Sequence, residues 1–101
     1  MKLDLLELQK QIYQNKINKG FNVKDISMEF CLMNGEMSEA WEAWLKKDDN
    51  VGEELADVAI YLLGLAEILE VDLSKEILDK MRKNKKRQYD IIEGVALRKD
   101  K

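Results

Sequence analysis

Histidine is absent from this 101-residue chain, and cysteine occurs only once, as Cys31. Zinc sites built from His and Cys, histidine general bases and an internal disulfide framework are therefore excluded. Proline is also absent and glycine occurs five times, which favours long uninterrupted helices over a turn-rich β fold. A lone thiol fits a reducing compartment, so we expect a cytoplasmic protein.

Long uncharged runs are missing as well. No stretch of 18 residues lacks charge, and the opening "MKLDLLELQK" mixes acids with its apolar residues. We therefore expect neither a membrane span nor a signal peptide. The chain is long enough for one domain over residues 1–101, and its 46% apolar content can supply a small core.

Charge is distributed unevenly along the chain. Residues 1–74 carry 7 basic and 15 acidic side chains, a net charge of −8, whereas residues 75–101 carry 10 basic and 5 acidic ones, a net of +5. Two interpretations remain open: solvated helix surfaces, or an acidic site that faces a basic segment.

The spacing of apolar residues predicts an all-α fold with four helices over roughly residues 3–18, 23–47, 51–70 and 75–89. We expect Gly20 to end the first helix, Asn50 or a preceding aspartate to cap the third, and Asp72 or Ser74 to cap the fourth. The domain core then covers about residues 3–89. The tail from residue 90 has no clear period, and we expect it to be a docking segment or partly disordered.

Acidic residues interrupt the second and third helices at matching intervals. Glu36 and Glu39 are three residues apart, and Glu54 and Asp57 repeat this spacing. A short connection makes the two helices antiparallel neighbours, so the pairs can face each other across the seam. A carboxylate cluster without histidine suits Mg²⁺, with Mn²⁺ as an alternative. The competing interpretation is that these acids lie on solvent surfaces or pair with lysines.

The fourth helix carries the basic sequence "KMRKNKKR". Lys80, Asn84 and Arg87 follow one another at intervals of four and three residues, so they share one helix surface that can hold a phosphate chain. A solvated helix end and a nucleic-acid patch are the alternatives. The net acidic charge and the absence of a base-reading motif make nucleic acid the weaker one.

Three segments in this order resemble the MazG-like, all-α nucleoside triphosphate pyrophosphohydrolases. They are "GEMSEAWEAW", "GEELADVAIYLLGLAEIL" and "VDLSKEILDKMRKNKKR", and the likeness covers about residues 30–89. The resemblance implies an α-helical protomer that forms a homodimer or homotetramer. It also implies Mg²⁺-dependent cleavage of a nucleoside triphosphate between the α- and β-phosphates, which gives a monophosphate and pyrophosphate.

The resemblance also assigns roles to single residues. Glu36 matches the second Glu of an E-x-x-E motif and Glu54 with Asp57 an E-x-x-D motif, so these three would bind the metal. On the phosphate side the matching residues are Lys80, Asn84 and Arg87. A spare carboxylate, Glu39 or Glu53, is the candidate for orienting the attacking water.

The sequence departs from the family pattern at Met33, where the first Glu of E-x-x-E is expected. A thioether is a poor Mg²⁺ ligand. Glu29 or Glu39 would then substitute, or the domain would be a non-catalytic nucleotide-binding or protein-interaction module.

Three aromatic side chains have open roles. Trp41 and Trp44 are predicted to anchor a core or an interface, or, for Trp44, to stack on the substrate base. Tyr61, one turn after Asp57, is predicted either to donate a hydrogen bond to the site or to pack. The base and the sugar are not specified by the sequence.

Overall fold

The computed structural model describes residues 2–87 in full and the backbone course of residues 89–92 and 95–98. Four helices are followed by a two-stranded antiparallel sheet: α1 (Leu5–Lys19), α2 (Ile26–Leu45), α3 (Val51–Ile68), α4 (Leu73–Lys86), β1 (Tyr89–Ile92) and β2 (Val95–Arg98). The prediction of four helices is confirmed, and the oligomeric state stays a prediction.

Aspartates set the start of three helices. Asp4 caps α1, Asp25 caps α2 and Asp72 caps α4, and each side chain accepts a hydrogen bond of 3.0–3.1 Å from the backbone N–H three residues further on. Gly20 ends α1 with a φ of 71°, a left-handed conformation that glycine adopts without steric cost. The cap at Asp25 moves the start of α2 from the predicted residue 23 to Ile26.

The core lies where α2 packs along α3, the most extensive helix pair, with α1 packed on the other side of α3. Small buried residues, Ala40 and Ala43, bring α2 close to α3. Gly64 does the same for α1, because a Cβ at this position would come within 3.2 Å of Ile12 Cγ2. Nothing in the described protomer approaches Gly35, where the mid-helix glycine suggested close contact.

The C-terminal segment corrects one boundary. The fourth helix was predicted to reach Tyr89, but α4 ends at Lys86 and Tyr89 begins β1. The two strands pair with Tyr89 opposite Arg98 and Ile92 opposite Val95. The prediction that the tail is a docking segment or partly disordered concerns side chains outside the described residues, so it stays a prediction.

Within the described part of the chain, no helix has the length and apolar character needed to cross a membrane.

Candidate metal centre

The seam between α2 and α3 gathers the acidic residues that the spacing had paired. Glu36 comes from α2, while Glu54 and Asp57 come from the first two turns of α3. One carboxylate oxygen from each of the three lies within 4.8 Å of the other two. The antiparallel packing of α2 on α3 therefore assembles this group, as the i, i+3 spacing in each helix predicted.

Two oxygens in this group lack partners. Glu36 Oε2 and Glu54 Oε2 are buried, and neither accepts a hydrogen bond from any described residue. A buried polar atom without a partner costs free energy, and folded proteins satisfy nearly all such atoms. These two carboxylates therefore leave room for a binding partner that residues 2–87 do not supply.

Asn50 belongs to the same neighbourhood. It occupies the N-cap position of α3 but makes no capping hydrogen bond. Its amide nitrogen instead donates to Glu54 Oε1 at 3.4 Å, and its Oδ1 is a third buried oxygen without a partner. The side chain thus gives up a cap to contact the acidic group.

Glu39 adds a fourth carboxylate to the electrostatics of the seam. Burial raises the pKa of Glu36, and the negative charges of Glu39, Asp57 and Glu54 raise it further. Burial likewise raises the pKa of Glu54, followed by the charges of Glu39, Asp57 and Glu53. These neighbouring charges all belong to carboxylates. No lysine or arginine of the described residues therefore neutralises the cluster.

The donor set fits a hard divalent cation. Every donor is a carboxylate or amide oxygen, which suits Mg²⁺ or Mn²⁺. The ligand oxygens lie within 4.8 Å of one another, and bonds of about 2.1 Å to a single cation would bring them to separations of about 3–4 Å. A bound cation would also satisfy the two orphaned carboxylate oxygens.

Other predicted residues lie in different places. Glu53 is exposed at the start of α3, and Met33 is half-buried on α2. Glu29 is 1% exposed and bonded to the Lys16 ammonium, with Asn22 donating to its second oxygen at 3.1 Å. Because it is tied into this pair, Glu29 is not free to replace a ligand at Met33.

Most of the aromatic and basic residues that were predicted to bind substrate or anchor an interface are exposed. Trp41 and Trp44 are each 64% exposed, so they do not anchor the core of the described protomer. Lys80 and Asn84 are exposed on α4 and Arg87 is half-buried just beyond it. Arg87 donates to Asn84 Oδ1 at 3.4 Å, so these two residues are neighbours. The helix that carries them packs mainly on α1, away from the α2–α3 seam.

Two cavities of about 290 and 280 Å³ open where α1 and the segment after it meet α2 and α3. Both are lined by Lys16, Phe21 and Tyr61, and the Lys16 ammonium lies 5.0 Å from the centre of the Tyr61 ring. Tyr61 lines both cavities and is also close enough to the acidic residues to respond to their charges. Burial raises its pKa, and the charges of Glu36, Glu29 and Asp57 raise it further.

Sequence reasoning missed Asn50 and Lys16 as parts of this region. Asn50 was considered only as a helix cap. Lys16 lies at a polar position of an amphipathic helix, where the sequence alone does not indicate burial. Its ion pair with Glu29 depends on how α1 packs against α2. One available clue was Glu29, a charge within the apolar stripe of α2.

Comparison with known proteins identifies the family of the chain. The model of the MazG-like family matches residues 31–100, which is most of the chain and contains the whole acidic seam. No curated protein and no solved structure gives a significant match. By its sequence over α2, α3 and α4, the chain belongs to the MazG-like family.

Proposed function

We propose that this protein hydrolyses a nucleoside triphosphate to a nucleoside monophosphate and pyrophosphate in the presence of Mg²⁺. The observation that carries the proposal is the oxygen-only cluster of Glu36, Glu54 and Asp57, with two buried oxygens left without partners, in a chain of the MazG-like family. Such a cluster is suited to a metal–phosphate complex.

In this proposal Glu36, Glu54 and Asp57 hold Mg²⁺, with Mn²⁺ as an alternative. Glu39 pairs with Glu36 at a spacing of three residues on α2, which matches the pair of Glu54 and Asp57 on α3. After burial, its charge is the largest influence on the pKa of both Glu36 and Glu54. A carboxylate at Met33 is then unnecessary, and Asn50 supports Glu54 by its N–H donation.

The reaction requires attack of water on the α-phosphorus. The new phosphorus–oxygen bond forms as the bond from the α-phosphorus to the oxygen bridging to the β-phosphorus breaks, and pyrophosphate leaves. When bound, Mg²⁺ neutralises phosphate charge and stabilises the transition state. Glu39 or Glu53 orients the water and accepts its proton.

The nucleoside end of the substrate fits the paired cavities. Their shared wall offers the rings of Phe21 and Tyr61 for stacking, and in the larger cavity the amides of Gln11 and Asn15 offer donors and acceptors to a base. Trp44 is the second stacking candidate, on the exposed end of α2. Asp57 and Tyr61 lie one turn apart on α3, so a nucleotide can span from cavity to metal.

The test is a pyrophosphate-release assay over the common ribo- and deoxyribonucleoside triphosphates. Wild-type protein with Mg²⁺ should release pyrophosphate from at least one nucleotide, and release should stop with EDTA. Glu54→Gln and Asp57→Asn should each lose activity by two orders of magnitude or more. Glu42→Gln is the matched control, because Glu42 is an exposed α2 glutamate paired with Lys46 at 2.6 Å.

Absence of pyrophosphate release from every nucleotide by a folded sample would refute the enzymatic proposal. Calorimetry with Mg²⁺ and a non-hydrolysable nucleotide then decides the alternative. Binding without turnover supports the non-catalytic module, for which Met33→Glu should restore turnover. If the nucleotide does not bind, both the enzymatic proposal and the non-catalytic alternative are wrong.

Assembly and location remain proposals as well. Large apolar side chains are exposed on α2 and α3, including Met37, Leu55 and Leu62, and this supports the homodimer or homotetramer that the family likeness implies. The free, exposed Cys31 suits a reducing compartment, so we retain a cytoplasmic location as a proposal.

A further inference from the structure

Lys16 carries a buried charge that its own chain satisfies only in part. The side chain is 10% exposed, and its ammonium donates a hydrogen bond to Glu29 Oε1. This is the one hydrogen bond that the ammonium makes within residues 2–87, although an ammonium has three N–H donors. Because a buried donor without an acceptor costs free energy, Lys16 can bind a further acceptor without giving up its ion pair.

Both cavities reach this ammonium. Lys16 lines the cavity of about 290 Å³ and the cavity of about 280 Å³, and so do the rings of Phe21 and Tyr61. Lys16 Nζ lies 5.0 Å from the centre of the Tyr61 ring, so one side of the ammonium faces an aromatic surface. A flat ligand that stacks on the same face of Tyr61 lies beside the ammonium, and it therefore presents its edge to Lys16.

The charges around the cavities select against a charged ligand. Glu29 is 1% exposed and balances the Lys16 ammonium, so the buried pair is neutral as a whole. Glu29 would repel a phosphate or a carboxylate placed beside the pair, and Lys16 would repel a cation. A neutral carbonyl oxygen avoids both penalties and offers two lone pairs to the ammonium. The cavities therefore suit an aromatic ring with a carbonyl on its edge.

Glu29 and Asn22 hold the ammonium in place. Glu29 Oε1 accepts from Lys16, and Glu29 Oε2 accepts from the Asn22 amide at 3.1 Å. The same amide donates to the Asp25 carbonyl at 2.9 Å, and Asn22 Oδ1 accepts from the Asp25 backbone N–H at 3.0 Å. Because Asn22 is fixed to the turn before α2, the ion pair has little freedom to turn away from a ligand that offers no acceptor.

We propose that the Lys16 ammonium binds a ring carbonyl of the substrate base, so that the protein discriminates against adenine. Guanine, uracil, thymine and cytosine each carry a ring carbonyl, whereas adenine places an amino donor where guanine places its carbonyl. A site built to hydrogen-bond one group rejects the analogue that lacks it, because the buried donor is then left unpaired. Lys16 determines the specificity, and Glu29 and Asn22 position it. That the ligand is the base of a nucleotide rests on the proposed function.

Binding of nucleosides in EDTA tests the inference without metal or hydrolysis. Inosine, adenosine and purine riboside are a matched series, because they carry a carbonyl, an amino group and a hydrogen at the same ring position. In NMR titrations of the full chain, inosine should bind at least about tenfold more tightly than the other two. Lys16→Met/Glu29→Leu should bind all three alike. Lys10→Met, at an exposed α1 lysine that lines neither cavity, should keep the preference.

The side-chain ¹⁵N resonance of Lys16 provides a readout that needs no folded variant, since it should shift with inosine and not with adenosine. Equal binding of adenosine, no binding of inosine, or a preference that survives in the double variant would each overturn the inference. The pyrophosphate assay separates it from the proposed function. Hydrolysis of ATP with the same kcat/KM as GTP refutes the base preference alone, whereas selective binding of inosine without hydrolysis of any nucleotide refutes the activity alone.

Discussion

At the level of single residues, the acidic seam contains more buried oxygen atoms than residues 2–87 provide hydrogen-bond partners for. Glu36, Glu54 and Asn50 each present a buried oxygen without a partner, and Asn50 turns toward Glu54 instead of capping α3. In the proposed metal role, a bound cation would recover the free energy that these unpartnered atoms cost. The proposal therefore predicts that metal binding and folding stability are linked at this site.

Replacing Glu36 should change the pH dependence of stability. Because burial raises the folded-state pKa of Glu36, its contribution to stability is fully present below the unfolded pKa and is lost as pH rises through the folded pKa. In EDTA, Glu36→Gln should therefore lose less stability than wild type between pH 4 and 7.5, in urea unfolding. Mg²⁺ should stabilise wild type more than the variant.

The control for this experiment has the opposite sign. The hydrogen bond and charge of Lys46 lower the pKa of Glu42, so its contribution is present above the unfolded pKa and is lost as pH falls. Glu42→Gln should leave the response to Mg²⁺ unchanged. If wild type and Glu36→Gln have parallel pH profiles in EDTA, the electrostatic picture of the seam is wrong.

Removal of the Asn50 side chain should separate support of the site from helix capping. Loss of a capping side chain usually costs about 1 kcal/mol, but Asn50 makes no capping bond, so Asn50→Ala should cost less than this in EDTA. Residues that support metal ligands contribute about 10–100-fold to affinity, and we expect at least a tenfold weaker Mg²⁺ midpoint in thermal-shift titrations. A midpoint equal to that of wild type would show that the contact with Glu54 is incidental.

At the level of helices, the buried pair of Lys16 and Glu29 ties α1 to α2. Their side chains are 10% and 1% exposed. Glu29→Gln should destabilise the chain by about 3 kcal/mol, because it leaves the Lys16 charge buried without a counter-charge. The double variant Lys16→Met/Glu29→Leu should recover most of this loss in urea unfolding. A double variant as unstable as the single one would mean that shape, rather than charge, matters here.

The helices were predictable because local sequence determines them. Apolar spacing indicated all four, and Asp72 and Gly20 act as the caps predicted for them. The strands at Tyr89 and Val95 were missed because two short apolar runs around "EG" have no helical period and too little length to indicate a strand. The seam was predicted from a short connection between periodic helices, whereas Asn50 and Lys16 act through tertiary contacts that spacing does not encode.

At the level of the whole molecule, the large apolar side chains exposed on α2 and α3 have a consequence for how the protein behaves on dilution. If a protomer buries these side chains only against a second copy, then folding is a second-order reaction and the midpoint of thermal unfolding rises with protein concentration. Samples diluted for a sensitive assay would lose structure and activity together. The dissociation constant of the dimer then sets the lowest concentration at which the protein persists in a cell.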